Sequence, residues 1–347
     1  MGSTPVTPAL IPRSVRESEN GRVHATLTQA LEAVLAGVDR RALRTATRAL
    51  VEVYRSGAPP GRLVLEDATS AAAYAAYRMP ATHAAVTRAL HHATSLDPAL
   101  QVRSMVDLGG GTGAASWAAA ETFDTLERVQ VVDGSAVALQ LGRRLARHGP
   151  PAVSTATWTR SVVQEDFVAP TADLAVVSYV LGELSEALHG PLVRAVTTSS
   201  RLALVLEPGT PRGYAAVLAA RSLLVASGWH VLAPCPQNGP CPLAGRTGDW
   251  CHFAARLDRS TLHRHLKGAA LGHEDEKFSY VFASHEPVVP AASRVLRRPV
   301  RRKGLVQLEL CRQNATAGPE VLTRRDPSAY RTARDVVWGD ALLLPPR

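Results

Sequence analysis

From Val23 to Tyr54 apolar residues recur at helical spacing, first at Leu27, Leu31, Val34 and Leu35, then at Leu43, Leu50 and Tyr54. That recurrence puts the side chains on one face and predicts two helices. A further helix is predicted from Ser70 to Ala93, kinked at Pro80, where the ring removes a ladder hydrogen bond. Past residue 98 the pattern changes. Strands are predicted at Val102–Leu108, Val129–Asp133, Thr155–Val163, Leu174–Tyr179 and Leu202–Leu206. Helices are predicted from Ala114 onward and over Ala136–Arg147, Glu186–Thr197 and Tyr214–Ala226. Such alternation implies a parallel sheet wrapped by helices. Phe278–Ala283 and Leu305–Leu310 read as two more strands, an antiparallel pair at the sheet edge. The tail after Ala315 is Pro/Arg-rich and weakly patterned.

The chain therefore divides into a disordered Pro/Ser/Arg-rich stretch at 1–20, a helical region at 21–98 and an α/β core at 99–230. An insertion follows at 231–275, then closing strands with a basic segment at 276–314, and a tail at 315–347.

Composition adds limits. The 347 residues suffice for a large core, and the apolar runs are too short to span a bilayer. The formal charge of +9 favours a polyanionic partner such as RNA. Arginine vastly outnumbers lysine; Lys267, Lys277 and Lys303 are the only lysines, all after residue 260. That bias also fits a GC-rich genome. The N-terminus, MGSTPVTPALIPRS, has no signal-peptide core and is a poor transit peptide. The expected location is the bacterial cytoplasm, and the expected state a monomer.

Two motifs carry chemistry. In MVDLGGGTGAASWAAAE, Asp107 ends a strand, and Gly109, Gly111 and Gly113 lead into a helix. Glycines permit a tight turn and close approach of backbone to a ligand. Gly109, Gly111 and Ala114 also fit a dinucleotide fingerprint, and Asp133 suits the ribose hydroxyls of either ligand. Asp107 favours S-adenosylmethionine, whose amino-acid end is cationic, over a pyrophosphate. Asp166 lies after the third strand, at a position suited to adenine, although a turn or helix-cap role fits it equally.

The second motif is the cysteine set. All four cysteines, Cys235, Cys241, Cys251 and Cys311, lie in the last third, three of them within CPQNGPCPLAGRTGDWCHF. Thiolates are soft ligands for iron–sulfur clusters, zinc or Cu(I). The absence of a C-x-x-C knuckle favours an iron–sulfur cluster over zinc. Zinc and unliganded thiols stay open, and His252 is an alternative to one thiolate.

Several blocks together resemble the mitochondrial small-ribosomal-subunit methyltransferase-like assembly-factor family, that of methyltransferase-like protein 17 and its bacterial relatives. They are YAAYRMPAT at 74–82, DLGGGTG at 107–113, EPGTPRGY at 207–214, CPQNGPCPL at 235–243, DWCHFAARLDRS at 249–260, HEDEKFSYVFAS at 273–284 and RVLRRPVRRKGLVQLELC at 294–311. The resemblance implies a Rossmann-like class I methyltransferase sheet with a helical N-terminal region and a cysteine-ligated cluster insertion. It also implies a 4Fe–4S cluster on the four cysteines, and action on the small ribosomal subunit or its rRNA.

Catalysis is less legible. The place after the fourth strand holds SYVLGEL, Ser178–Leu184, without the proline pair of amino-directed nucleic-acid methyltransferases. Glu183 and Glu207 are candidate polar groups, and no catalytic base is assigned. A SAM-dependent RNA methyltransferase and a non-catalytic assembly factor both remain open, with a dinucleotide-dependent iron–sulfur oxidoreductase as a weaker alternative. The basic run Arg294, Arg297, Arg298, Arg301, Arg302 and Lys303 is expected to contact phosphates of the RNA.

Overall fold

The computed structural model describes residues 27–56, 65, 67–267 and 270–342. The disorder expected at 1–20 lies outside them. Residues 27–35 are helical, and α1 spans Arg40–Ser56. Their apolar stripe, Leu27, Leu31, Leu35, Leu43 and Leu50, is buried. The long helix expected next is two helices, α2 (Ala68–Tyr77) and α3 (Met79–Thr94). Pro80 fits only the first turn of α3, so the chain breaks at Arg78 instead of bending. Asp67 caps α2, accepting the Thr69 and Ser70 N–H groups at 2.8 Å each.

The α/β core then unfolds in order. It contains β1 (Ser104–Leu108), α4 (Ala114–Thr122), β2 (Arg128–Asp133), α5 (Ala136–Ala146), the one-turn α6 (Pro151–Ser154), β3 (Thr157–Arg160) and β4 (Ala172–Ser178). After a 3-10 turn at Glu186–Leu188 come α7 (His189–Ser199), β5 (Ser200–Pro208), α8 (Pro211–Ala226), β6 (His230–Ala233), β7 (Phe253–Asp258), α9 (Thr261–Lys267) and β8 (His273–Ser284). The sheet order is β3-β2-β1-β4-β5-β8-β6, with β7 also on β8. The first five strands are parallel and β8 is antiparallel to β5. This is a mixed, Rossmann-like α/β sheet. Its β1 is fully buried, and β1 stands between β2 and β4, where the strand order reverses.

Phe278 faces Pro208 of β5 on one side and Phe253 of β7 on the other. Consequently β6 and β7 lie along the same edge of β8, as two halves of one interrupted strand. Residues 234–252, with three of the cysteines, form the excursion between the halves.

A second sheet corrects two expectations. It contains β9 (Ser293–Val295), β10 (Val300–Arg302), β11 (Leu305–Arg312), β12 (Ala317–Thr323) and β13 (Ala341–Leu342), and α10 (Pro327–Ala333) packs with it. Leu305–Leu310 therefore does not pair with Phe278–Ala283, because its neighbours are β9, β10 and β12. The weakly patterned tail is structured: Leu322, Ala329, Ala333, Val336 and Leu342 share a core with Val295 and Leu308.

Candidate functional site

The glycine turn follows β1 directly. Gly109 and Gly110 donate to the Val132 carbonyl at 2.7 and 3.2 Å, tying the turn to β2. Gly109 has φ +68°, and a Cβ there would come within 2.4 Å of the Val180 side chain. Gly113, at φ +87°, caps α4 against the Trp158 ring. Both positions need glycine for conformation and for space.

Asp133 sits beside the turn at the end of β2. Its carboxylate accepts Gly111 N–H at 2.9 Å and Ser135 N–H at 2.7 Å. Asp107 is placed otherwise than expected. It is fully buried beneath Gly110, whose Cβ would lie 2.6 Å from the Asp107 Cγ. Its Oδ2 accepts the Ser116 N–H and hydroxyl, and its Oδ1 has no partner. Asp107 thus braces the turn from below. Burial pushes its carboxyl up to about 7.

The turn after β4 closes the same region. Tyr179 takes a left-handed φ of +61°, rare for a residue with a side chain. Its hydroxyl donates to Glu276 Oε1 at 2.9 Å, and the Arg78 guanidinium lies 5.2 Å from its ring centre. Arg78 reaches the same Glu276 through two hydrogen bonds of 3.0 and 3.2 Å. The break between α2 and α3 therefore delivers a cation to this end of the sheet. Glu207 is buried and accepts the Leu181 N–H at 2.7 Å. Burial raises Glu183 to about 8, with Asp133 and Glu207 adding repulsion; burial also raises Glu207, to about 7. Asp166 is an exposed turn residue after β3.

The four cysteines converge on one cavity of about 30 Å³ that opens to solvent. Cys235 and Cys241 line it from the excursion, Cys251 from the residues just before β7, and Cys311 from β11. Cys311 pairs with Arg294 on β9 and Ala317 on β12, so the second sheet closes the cavity. Burial drives the Cys235 and Cys251 thiols upward and Cys311 up to about 12, and the neighbouring sulfurs add to each. Among the described residues, no group of three or more His, Cys, Asp or Glu side chains is arranged to hold a metal ion. His252 is not part of the lining. Its Nδ1–H donates to the Trp250 carbonyl at 3.0 Å, and its ring lies between Trp250 and Trp338.

The basic run is not a uniform patch. Arg294, expected on RNA, is 1% exposed and lines the cysteine cavity. Its strand, β9, is buried at all three positions between β11 and β13, which turns the side chain inward. Arg297 bonds Asp249 and the Trp250 carbonyl, Arg298 bonds Asp275, and Arg301 bonds the Arg334 and Val336 carbonyls. Arg302 and Lys303 are exposed at the β10–β11 hairpin.

Sequence reasoning missed Arg221, Tyr214 and the Arg78–Glu276–Tyr179 group. Arg221 had a signal: it interrupts the stripe Val217, Ala220 and Leu224, which is buried in α8.

Residues 68–343 match a family described as mitochondrial small ribosomal subunit Rsm22. The chain is 30% identical over 289 residues to a Homo sapiens protein named ribosome assembly protein METTL17, mitochondrial, covering 78% of this chain and 61% of that protein. It is 25% identical over 194 residues to Rsm22-cox11 tandem protein 2, mitochondrial, of Schizosaccharomyces pombe, covering 43% of this chain and 25% of that one. The chain thus spans about three fifths of the human relative and a quarter of the yeast one. Among solved structures, it is similar to a putative RNA methyltransferase, PH1948, from Pyrococcus horikoshii (14% identity, TM-score 0.38, 58% of this chain and 82% of that one). It is also similar to magnesium protoporphyrin IX methyltransferase from Synechocystis PCC 6803 with bound SAH (10% identity, TM-score 0.39, 68% and 94%). The family description and both curated relatives are mitochondrial, which overturns the bacterial cytoplasmic placement.

Proposed function

This chain belongs to the mitochondrial small ribosomal subunit Rsm22 family, and on that premise we propose that it is a methyltransferase-like factor that binds S-adenosylmethionine and acts in assembly of the small ribosomal subunit, on its rRNA. The ligand assignment is carried by one observation. The glycine turn lies at the carboxyl end of β1, where the strand order reverses, with carboxyl groups around it. Open α/β sheets bind ligands at such switch points. The carboxyl groups of Asp133, Glu183 and Glu207 gather here, two of them held toward the protonated form by burial; a cationic sulfonium with an ammonium group would favour their ionised forms, whereas a pyrophosphate would oppose them. This favours SAM over NAD and weakens the oxidoreductase alternative. In this reading Gly109, Gly111, Gly113 and Asp133 hold the ligand, Asp107 supports them from below, and Asp166 borders the adenine end.

Cys235, Cys241, Cys251 and Cys311 would hold a 4Fe–4S cluster, with zinc as the alternative. Support comes from four soft donors around an open cavity and from Arg221 and Arg294 buried in its wall, ready to balance negative charge. When bound, the cluster would cross-link the excursion and the second sheet.

A non-catalytic factor is the second reading. It is favoured by how fully the polar groups near the turn are engaged: Tyr179 by Glu276, and Glu207 by Leu181 N–H. The test is labelled methyl transfer from SAM to small-subunit particles from a strain lacking this protein. Label in the rRNA establishes the enzyme; tight SAM binding without transfer establishes the non-catalytic factor. Failure of the purified protein to bind SAM would sink the enzyme, and failure to bind small-subunit particles would sink both readings.

A further inference from the structure

Two cations point into the cysteine cavity with donor groups unused. Arg294 is 1% exposed; its Nε donates to the Pro234 carbonyl at 2.8 Å and its Nη1 to the Gly339 carbonyl at 2.9 Å. Its Nη2 has no partner. Arg221 is 5% exposed; its Nη2 is shared between the Gln237 and Gly239 carbonyls at 2.8 and 2.9 Å, its guanidinium also hydrogen-bonds the Cys235 sulfur, and its Nε has no partner. Both side chains line the cavity, and the charge of each is felt at Cys235 and at Cys311.

A buried, unpaired N–H of a cation is costly, more so than that of a neutral donor. The backbone carbonyls lock both guanidinium groups in place, so neither orphan atom is free to swing out to water. Their placement calls for an acceptor inside the cavity. We propose that Arg221 Nε–H and Arg294 Nη2–H are the hydrogen-bond donors that receive an anionic iron–sulfur centre, binding its sulfur atoms and balancing its charge. This rests on the four-cysteine reading given above. A cubane on four thiolates carries formally about two negative charges, which two guanidinium groups match. Hydrogen bonds and positive charge at the sulfurs favour the more negative, reduced level of such a centre and raise its reduction potential. Arg294 has a second duty. By joining Pro234 to Gly339 it fastens the cysteine excursion to the C-terminal segment, and lysine, a point charge, does not reproduce that fork.

The test uses the full chain, loaded anaerobically with iron and sulfide and titrated with dithionite through mediator dyes. Arg221→Gln and Arg294→Gln are expected to shift the reduction potential to more negative values. Arg221→Lys is expected to recover part of the shift, which loss of packing alone would not allow. Arg294→Gln puts the fold at risk, so Arg221→Gln, in a helix whose cap lies elsewhere, decides the matter, with near-UV circular dichroism checking its fold. If wild type takes up iron and sulfide and folded Arg221→Gln titrates at the same potential, the arginine role is wrong while the cluster stands. If wild type takes up neither, the cluster reading fails and this inference with it.

Discussion

The Tyr214 hydroxyl lies 3.2 Å from the sulfur of Cys241. Tyr214 is in the first turn of α8, just past Glu207 at the end of β5. Glu207 holds the Leu181 N–H beside the glycine turn, while Gly209 accepts Trp250 Nε1–H beside Cys251. One short connection therefore touches both candidate sites. Tyr214→Phe removes the hydroxyl contact without changing the ring. It is expected to cost about 0.5–1.5 kcal/mol, read from denaturant midpoints.

Replacing any of Cys235, Cys241, Cys251 or Cys311 by Ser should lower iron and sulfide content in anaerobically purified protein and reduce its broad absorbance near ~400 nm. Because ligand binding and folding are coupled, the melting temperature should fall as well. Stoichiometric zinc without iron in the wild type would reassign the site.

At the glycine turn, Asp133→Ala removes the acceptor for Gly111 and Ser135 N–H. SAM affinity should drop by about 1–3 kcal/mol in calorimetry. Unchanged SAM affinity in a folded variant would place the ligand away from this turn.

Asp107 should leave a signature in pH. Its carboxyl ordinarily titrates at 3.8 and is raised here to about 7 by burial. Between those values the folded protein holds a proton that the unfolded chain has released. The group's contribution is therefore full below 3.8 and is lost as pH rises through 7. Asp107→Asn carries no charge to bury. It should match wild type near pH 4 and exceed it at pH 8, by about 1–3 kcal/mol in denaturant melts. A gain at pH 4 equal to that at pH 8 would remove titration as the cause.

Of the parallel strands, β1, β4 and β5 were legible because each carries a compact buried run ended by a turn, whereas β2 alternates with polar residues and β3, TWTR, buries only Trp158. The second sheet lacked that signal. Both β9 and β10 have only three residues, and β12 carries Gly318 and Pro319, which usually argue against a strand. The helix α10 carried a start signal, Asp326 as cap and Pro327 at its first position, that the weak pattern of the tail concealed. For the cysteines, their shared chemistry was readable, but the cavity's cations were not. Arg294 looks like its neighbours in a run of arginines; only the pairing of β9 between β11 and β13 turns it inward.

That sorting changes the RNA prediction. Arg302 and Lys303 remain exposed at the hairpin tip, whereas Arg297 is engaged with Asp249. Replacing Arg302 and Lys303 with Gln should weaken rRNA binding and flatten its salt slope by about two phosphate contacts. Arg297→Gln should instead lower stability. A full salt slope in the Arg302/Lys303 variant would move the RNA surface elsewhere.

If the cysteine cavity holds a cluster as proposed, the split edge strand decides what happens when that cavity is empty. Both ends of the excursion are stitched to β8, at Ala233 opposite Phe282 and at Phe253 opposite Phe278. Emptying the cavity therefore slackens a closed loop and leaves the sheet's hem sewn on either side of it. The sheet that carries the glycine turn can persist while the second sheet, joined at the cavity by Cys311 and Arg294, loses a clasp. Loading would then be visible from outside as the docking of one layer against another, a change of outline rather than of fold.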